Sequence, residues 1–249
     1  MKIYSSELDF GKEIAAAEAG DTKAMVRVAF AILNGRLSET IHPDEAALAI
    51  RYYETAAAHG DKSAIMDLAA CYMDGRGVRR DVQTSMQLYA QGFDPTSGSS
   101  CFCLGCVHRY DYPEGGGEIP TRSAGRIAKA IDYFTQGAAL ENADCMYELG
   151  NMALHGIGME KDDKKALIWF QCALDALDEE ILSGRGLHIY YALALCYYHG
   201  YGTAVDHETA EEYISYFMQE KRRRHKYGEP IASWLLNDGE TLAAKLGNT

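Results

Sequence analysis

Positive charge is what this 249-residue chain is short of: Lys plus Arg number 24 against 36 for Asp plus Glu, a net charge of −12. Binding to nucleic-acid backbones depends on neutralising phosphates with cations, so this balance argues against a nucleic-acid partner. No apolar run approaches the ~18–20 residues needed to cross a bilayer, so neither a spanning helix nor a membrane partner is expected. The opening MKIYSSELDFGKE lacks an apolar h-region, and no secretory leader is expected. Seven cysteines, an odd number, cannot all pair within one chain, which points to reduced thiols and a cytoplasmic location. Prolines number only 5 against 24 glycines, the balance of long helices broken by glycine turns. Ser-x-x-Lys, G-x-S-x-G, H-E-x-x-H and G-x4-G-K-[ST] do not occur. No catalytic residue and no cofactor is therefore assigned, and a non-enzymatic role is expected.

What the chain does have is self-similarity. YMDGRGVRRD, ALHGIGMEKD and YYHGYGTAVD coincide, each with a helical run ending at G-x-G and an Asp six residues after the first glycine. The glycine pairs are Gly75/Gly77, Gly156/Gly158 and Gly200/Gly202, and the aspartates are Asp81, Asp162 and Asp206. Further on, a small residue precedes apolar or aromatic residues at +3 and +4: Ala49–Tyr52–Tyr53, Ser85–Leu88–Tyr89, Ala130–Tyr133–Phe134, Ala166–Trp169–Phe170 and Ala210–Tyr213–Ile214. Steps between these small residues are 36, 45, 36 and 44, a basal unit of 36 with inserts in loops.

Each unit reads as helix–turn–helix. Ala64, Leu68 and Tyr72, at i, i+4 and i+8, form one stripe of a first helix. The buried leucine-type position recurs as Val28, Leu68, Leu104, Leu149 and Leu193. The first glycine suits a left-handed C′ position, which costs other residues ~1–2 kcal/mol. Asp81, Asp162 and Asp206 suit N-caps of the second helix. Pro43, Pro95, Pro113, Pro120 and Pro230 all fall between the helices so placed or at a helix start.

The pattern A-x3-L-(G/A)-x2-Y-x2-G-x-G-x3-D-x3-(A/S)-x2-aromatic pair resembles the Sel1-like repeat family, relatives of tetratricopeptide repeats. The likeness is strongest in repeats two, four and five. Repeat one keeps RYYETAAAHGD but carries NGRLSETIHPDE at its turn, and repeat three carries the long loop DYPEGGGEIPTRSAG. The resemblance implies an all-α, right-handed superhelical solenoid of about five helix–turn–helix repeats. Its expected organisation is a half-repeat at 1–21, repeats at 22–60, 61–97, 98–141, 142–184 and 185–228, and a capping helix at 229–249. It also implies an adaptor or scaffold that binds a protein or peptide segment on its concave face. A regulatory, immunity-type protein that inactivates one dedicated partner is the alternative, and a hydrolase or metal-binding protein a third class.

In the tetratricopeptide-like register, positions 5 and 12 of each first helix face the groove. These include Met66 and Met73, Phe102 and Arg109, Tyr147, and Tyr191 and Tyr198, with Asn151, His155 and His199 at positions 9 and 13. Aromatics, Met and Arg are the types enriched at interface cores. The competing reading packs position 5 against the neighbouring repeat. Cys101-x-Cys103-x2-Cys106-x-His108 has the residue types for zinc. On a helix, however, Cys101 and Cys103 point about 200° apart, and no metal is assigned. Lys221–Lys226, with Arg222, Arg223, Arg224 and His225 between, reads as a helix end complementing the macrodipole or as a contact for an acidic partner.

Overall fold

The structure, a computed structural model, describes residues 7–33, 43–109, 124–177, 186–226 and 231–247. These contain helices α1 (Glu7–Glu18), α2 (Thr22–Leu33), α3 (Pro43–Ala58), α4 (Lys62–Asp74), α5 (Val82–Gly92), α6 (Gly98–Arg109), α7 (Ala124–Ala139), α8 (Ala143–His155), α9 (Asp163–Asp175), α10 (Gly186–His199), α11 (His207–Lys226) and α12 (Ser233–Lys245). No strand occurs among the described residues. Pro43 opens α3 and Pro95 lies between α5 and α6. The loop holding Pro113, Gly115–Gly117 and Pro120 lies outside the described residues, as do Pro230 and most of NGRLSETIHPDE.

The G-x-G-x3-D turns form as the spacing predicts, through one repeated set of hydrogen bonds. Gly75, Gly156 and Gly200 have φ of 74°, 65° and 75°, left-handed values open to glycine at little cost. The residue after each donates its N–H back into the first helix: Arg76 to Cys71, Ile157 to Met152 and Tyr201 to Cys196. Each Asp then works from both ends. Its own N–H donates to the first helix, Asp81 to Tyr72, Asp162 to Ala153 and Asp206 to Tyr197, each at 2.9 Å. Its carboxylate accepts from the second helix, from the N–H of Thr84, Lys165 and Thr209 at 3.0, 2.9 and 3.1 Å. Hydrogen bonds from the Thr84 N–H and hydroxyl, and from the Thr209 hydroxyl and N–H, hold the Asp81 and Asp206 carboxyls below the usual range.

The second glycine does different work. A Cβ on Gly77, Gly158 or Gly202 would lie 3.1 Å from Ile50, 2.1 Å from Ile127 and 2.3 Å from the Asp163 carbonyl oxygen. Each of those partners sits on the second helix of the preceding pair. The turn of one repeat is thus seated directly on its neighbour, and a side chain would hold it off.

Junctions between repeats use a second device. Asp21, Asp61 and Asn142 cap α2, α4 and α8 by accepting from the N–H of Ala24, Ala64 and Cys145 at 3.0, 3.0 and 2.9 Å. The residue before each is left-handed: Gly20 at φ 99°, Gly60 at 83° and Glu141 at 57°. Glu141 thus occupies a conformation that its two counterparts reach as glycine.

Packing follows the small-residue landmark. Ala49, Ser85, Ala130, Ala166 and Ala210 are all 0% exposed, and Ser85 donates its hydroxyl to the Ala69 carbonyl. Phe134 and Phe170, also 0% exposed, fill the space left by Gly105 and Gly150, where a Cβ would lie 2.3 and 2.5 Å from the ring. The leucine-type positions Val28, Leu68, Leu104, Leu149 and Leu193 are buried.

The helices group into two compact units, Met1–Thr96 with Cys106–Arg122, and Ser97–Gly105 with Ser123–Thr249. In the first, α1 to α5 pack in chain order and α2 also touches α4. Its core gathers Val28, Ile32, Tyr53, Leu68 and Cys71. In the second, α7 to α12 pack in chain order around two clusters, one centred on Phe170 and Leu193, the other on Ile214, Phe217 and Leu235. The fold class is an α-α superhelical solenoid.

One titratable group in the first core governs a pH response. Burial pushes the Asp67 carboxyl up to about 6, against a hydrogen bond from Tyr53 that pulls it down. An acid raised on folding holds its proton more tightly in the folded state. Its contribution therefore favours folding at low pH and is lost as pH rises from about 4 to about 6. Asp67→Asn keeps an acceptor for Tyr53. It should flatten this part of the stability profile and gain ~2 kcal/mol at neutral pH. An unchanged profile in chemical denaturation from pH 4 to 7 would mean that the carboxylate is well solvated.

Candidate functional site

The first helices of the second unit carry an aromatic row that ends in solvent. Tyr147 on α8 lies against Phe170 of α9 at 5.7 Å between ring centroids. It meets His188 on α10 edge-on at 5.8 Å, and His188 meets Trp234 on α12 edge-on at 5.7 Å. Exposure climbs along the row, from 0% at Phe170 and 8% at Tyr147 to 52% at Trp234. These offset, edge-on contacts suit the aromatic quadrupole.

Helix α12 is held in place by its other face. Leu235 and Leu242 are buried, and Gly239 gives space to Phe217, whose ring would lie 2.3 Å from a Cβ there. Lys221 of α11 pairs with Glu240 of α12. Trp234 and Asp238, four residues apart, share the neighbouring stripe and are exposed. His188 and Tyr191, three apart, form the facing stripe of α10. Burial, and then the Asp238 charge, raise the Tyr191 hydroxyl above its ordinary range, so Asp238 lies in electrostatic reach of that ring. The order His188 to Trp234 and Tyr191 to Asp238 runs α10 and α12 in the same direction, as for first helices of successive repeats.

A second aromatic group sits at the repeat-five turn. Tyr198 stacks on His207 at 5.1 Å, and His199 stacks on Tyr201 at 5.2 Å, with Lys161 5.9 Å above the Tyr201 ring. Beside it, Lys161–Lys164 with Gly200, Gly202, Thr203 and Ala204 border an open depression of about 600 Å³.

The residues expected to face a groove are placed unevenly. His155 and His199 are exposed, and Met66, Phe102, Asn151, Tyr191 and Tyr198 are half-buried. Met73, Arg109 and Tyr147 are buried, at 4%, 7% and 8% exposure. Tyr147 joins the core around Phe170, and Tyr191 and Tyr198 pack against the core shared by α10, α11 and α12. These three rings therefore take part in packing, and truncating them is expected to cost stability as well as any contact. Tyr147 and Tyr191 are brought near each other, whereas Tyr198 and His199 stand at the far end of α10. His188 and Trp234 were not among the expected residues. The signal that marks Trp234 is an i, i+4 polar stripe beside the Leu235–Leu242 apolar stripe, in a segment that matches no repeat.

Other candidate chemistry is absorbed by packing. Cys101 is 0% exposed on α6, all seven cysteines are free thiols, and no metal-ligand cluster occurs among the described residues. Burial pushes the Cys71 thiol up to about 11 and Cys196 to about 12, the behaviour of unreactive core thiols. The basic run ends α11. Arg223 and Arg224 donate to buried Glu220 at 2.7 and 2.9 Å, and Lys221 is engaged by Glu240. Burial would raise the Glu220 carboxyl, but these arginine hydrogen bonds outweigh it and hold it low.

Comparison with known proteins follows the same lines. The Sel1 repeat matches residues 22–61, 62–94, 143–176 and 190–215, which fall on α2–α3, α4–α5, α8–α9 and α10–α11. The fold is similar to that of a protective antigen of uropathogenic Escherichia coli with an SLR fold, with TM-score 0.63 and 20% identity. That match covers 95% of this chain and 48% of the antigen, so the chain spans about half the antigen's length. It is also similar to a Sel1 repeat protein from Oxalobacter formigenes, with TM-score 0.61, 16% identity, and 95% and 99% of the two chains covered. At these identities the likeness concerns the fold alone. No curated protein matches the sequence. The repeat matches extend over half of the residues and the helical pairs bear them out: the chain belongs to the Sel1 repeat family.

Proposed function

We propose that this chain is a non-enzymatic scaffold whose α8–α10–α12 face receives a peptide or helix of another protein. Sel1 repeat proteins are in general protein-interaction modules. The observation that carries the reading is Trp234, half in solvent at the end of an otherwise buried aromatic row. Tryptophan in that setting is the residue type most enriched among interface hot spots. Tyr191, Asn151, His155, Tyr198 and His199 are the further contact residues of this reading. Seven free thiols fit a reducing, cytoplasmic compartment.

The test is panning of a random 12-residue peptide library on the protein, followed by titration of the selected peptides. Trp234→Ala should weaken them about tenfold or more, a loss of ~1.4 kcal/mol or above, with the melting temperature nearly unchanged. Peptides that bind the variant as tightly as the parent would remove the α12 face as the site.

A further inference from the structure

We propose that the surface formed by His188 and Tyr191 of α10 with Trp234 and Asp238 of α12 receives an arginine side chain of the bound protein segment. This rests on the reading above and names what the site selects.

Three observations converge on a planar cation. Trp234 is 52% exposed, and its ring meets His188 edge-on at 5.7 Å. A guanidinium stacks on such a face, because the ring's negative quadrupole attracts it. Asp238 projects one helical turn further along the same stripe and is exposed. A carboxylate there can accept two parallel N–H bonds from the same guanidinium. The α11 lysine beside α12, Lys221, is engaged by Glu240 rather than by Asp238. The net charge of −12 over the whole chain is of the sign that favours a basic segment.

The chain has only 2 tryptophans, Trp169 and Trp234, so two indole N–H signals report directly on the site. The experiment titrates N-acetyl-arginine methylamide into 15N-labelled full chain, with N-acetyl-citrulline methylamide as the uncharged control of equal shape. The Trp234 signal, assigned by its loss in Trp234→Ala, should move saturably with the arginine amide. Citrulline amide should bind about tenfold more weakly, and Asp238→Asn should bring the two probes within about twofold. Equal shifts by both probes, or an arginine preference that survives Asp238→Asn, would overturn the arginine assignment. So would an unmoved Trp234 signal when selected peptides still depend on Trp234; the protein-binding reading then stands without it. Loss of Trp234 dependence in those peptides removes both.

Discussion

A Gly202→Ala variant should be less stable than the parent by about 3 kcal/mol or more, for a single added methyl group. Two costs combine. At φ 76° a Cβ brings left-handed strain of ~1–2 kcal/mol. The same Cβ would also lie 2.3 Å from the Asp163 carbonyl oxygen, 2.7 Å from its carbon and 2.8 Å from the Lys164 Cα. These are backbone atoms at the start of α9, so no rotamer change relieves the overlap. Gly11→Ala is the control. Gly11 sits within α1 with nothing within 4 Å of its virtual Cβ, and alanine there should gain up to ~1 kcal/mol. Urea denaturation of both variants decides the matter. Equal stabilities would mean that the second glycine of the turn is not a contact at all.

Phe170→Ala should cost ~3–5 kcal/mol by opening a cavity. The ring is 0% exposed, fills the space above Gly150 and backs Tyr147. Gly150→Ala should be destabilising as well, by ~1–3 kcal/mol, because its Cβ would press to 2.5 Å from that ring. The two changes should not add. With the ring removed, the alanine methyl occupies part of the vacated volume, so the double variant should be more stable than the sum of the singles predicts. Strict additivity in the double-mutant cycle would separate the two residues.

Local signals carried most of the fold. A glycine six residues before an aspartate specifies a left-handed C′ and an N-cap, and both are properties of one short segment. The small residue three and four positions before an aromatic pair specifies the buried side of the second helix in the same way. What the spacing could not carry was contact between repeats. The sequence separates Gly202 from Asp163 by an entire helical hairpin, and nothing near Gly202 names the atom it must avoid. Stripe arithmetic put Tyr147 and Tyr191 on an open face. In the structure Phe170 backs Tyr147, and Phe217 of α11 approaches Tyr191 at 6.2 Å. The basic run read as a charged helix end, which α11 is. Its neutralisation by Glu220 and Glu240 depends partly on a helix 19 residues further on. Trp234 escaped because it lies where the periodicity stops, and an argument built on repetition has no register there.

The seating of the second glycines also sets how the array comes apart. Gly77, Gly158 and Gly202 each close against a helix of the pair before it, so a turn reaches its native contacts only when its predecessor is already folded. Stability in such an array resides in nearest-neighbour couplings more than in single hairpins. The coupling is reciprocal: a hairpin that loses its turn also gives up a contact on the helix before it. Within the second unit α12 packs on α11 through Leu235 and Leu242, and a segment bound across α10 and α12 would also hold that contact closed.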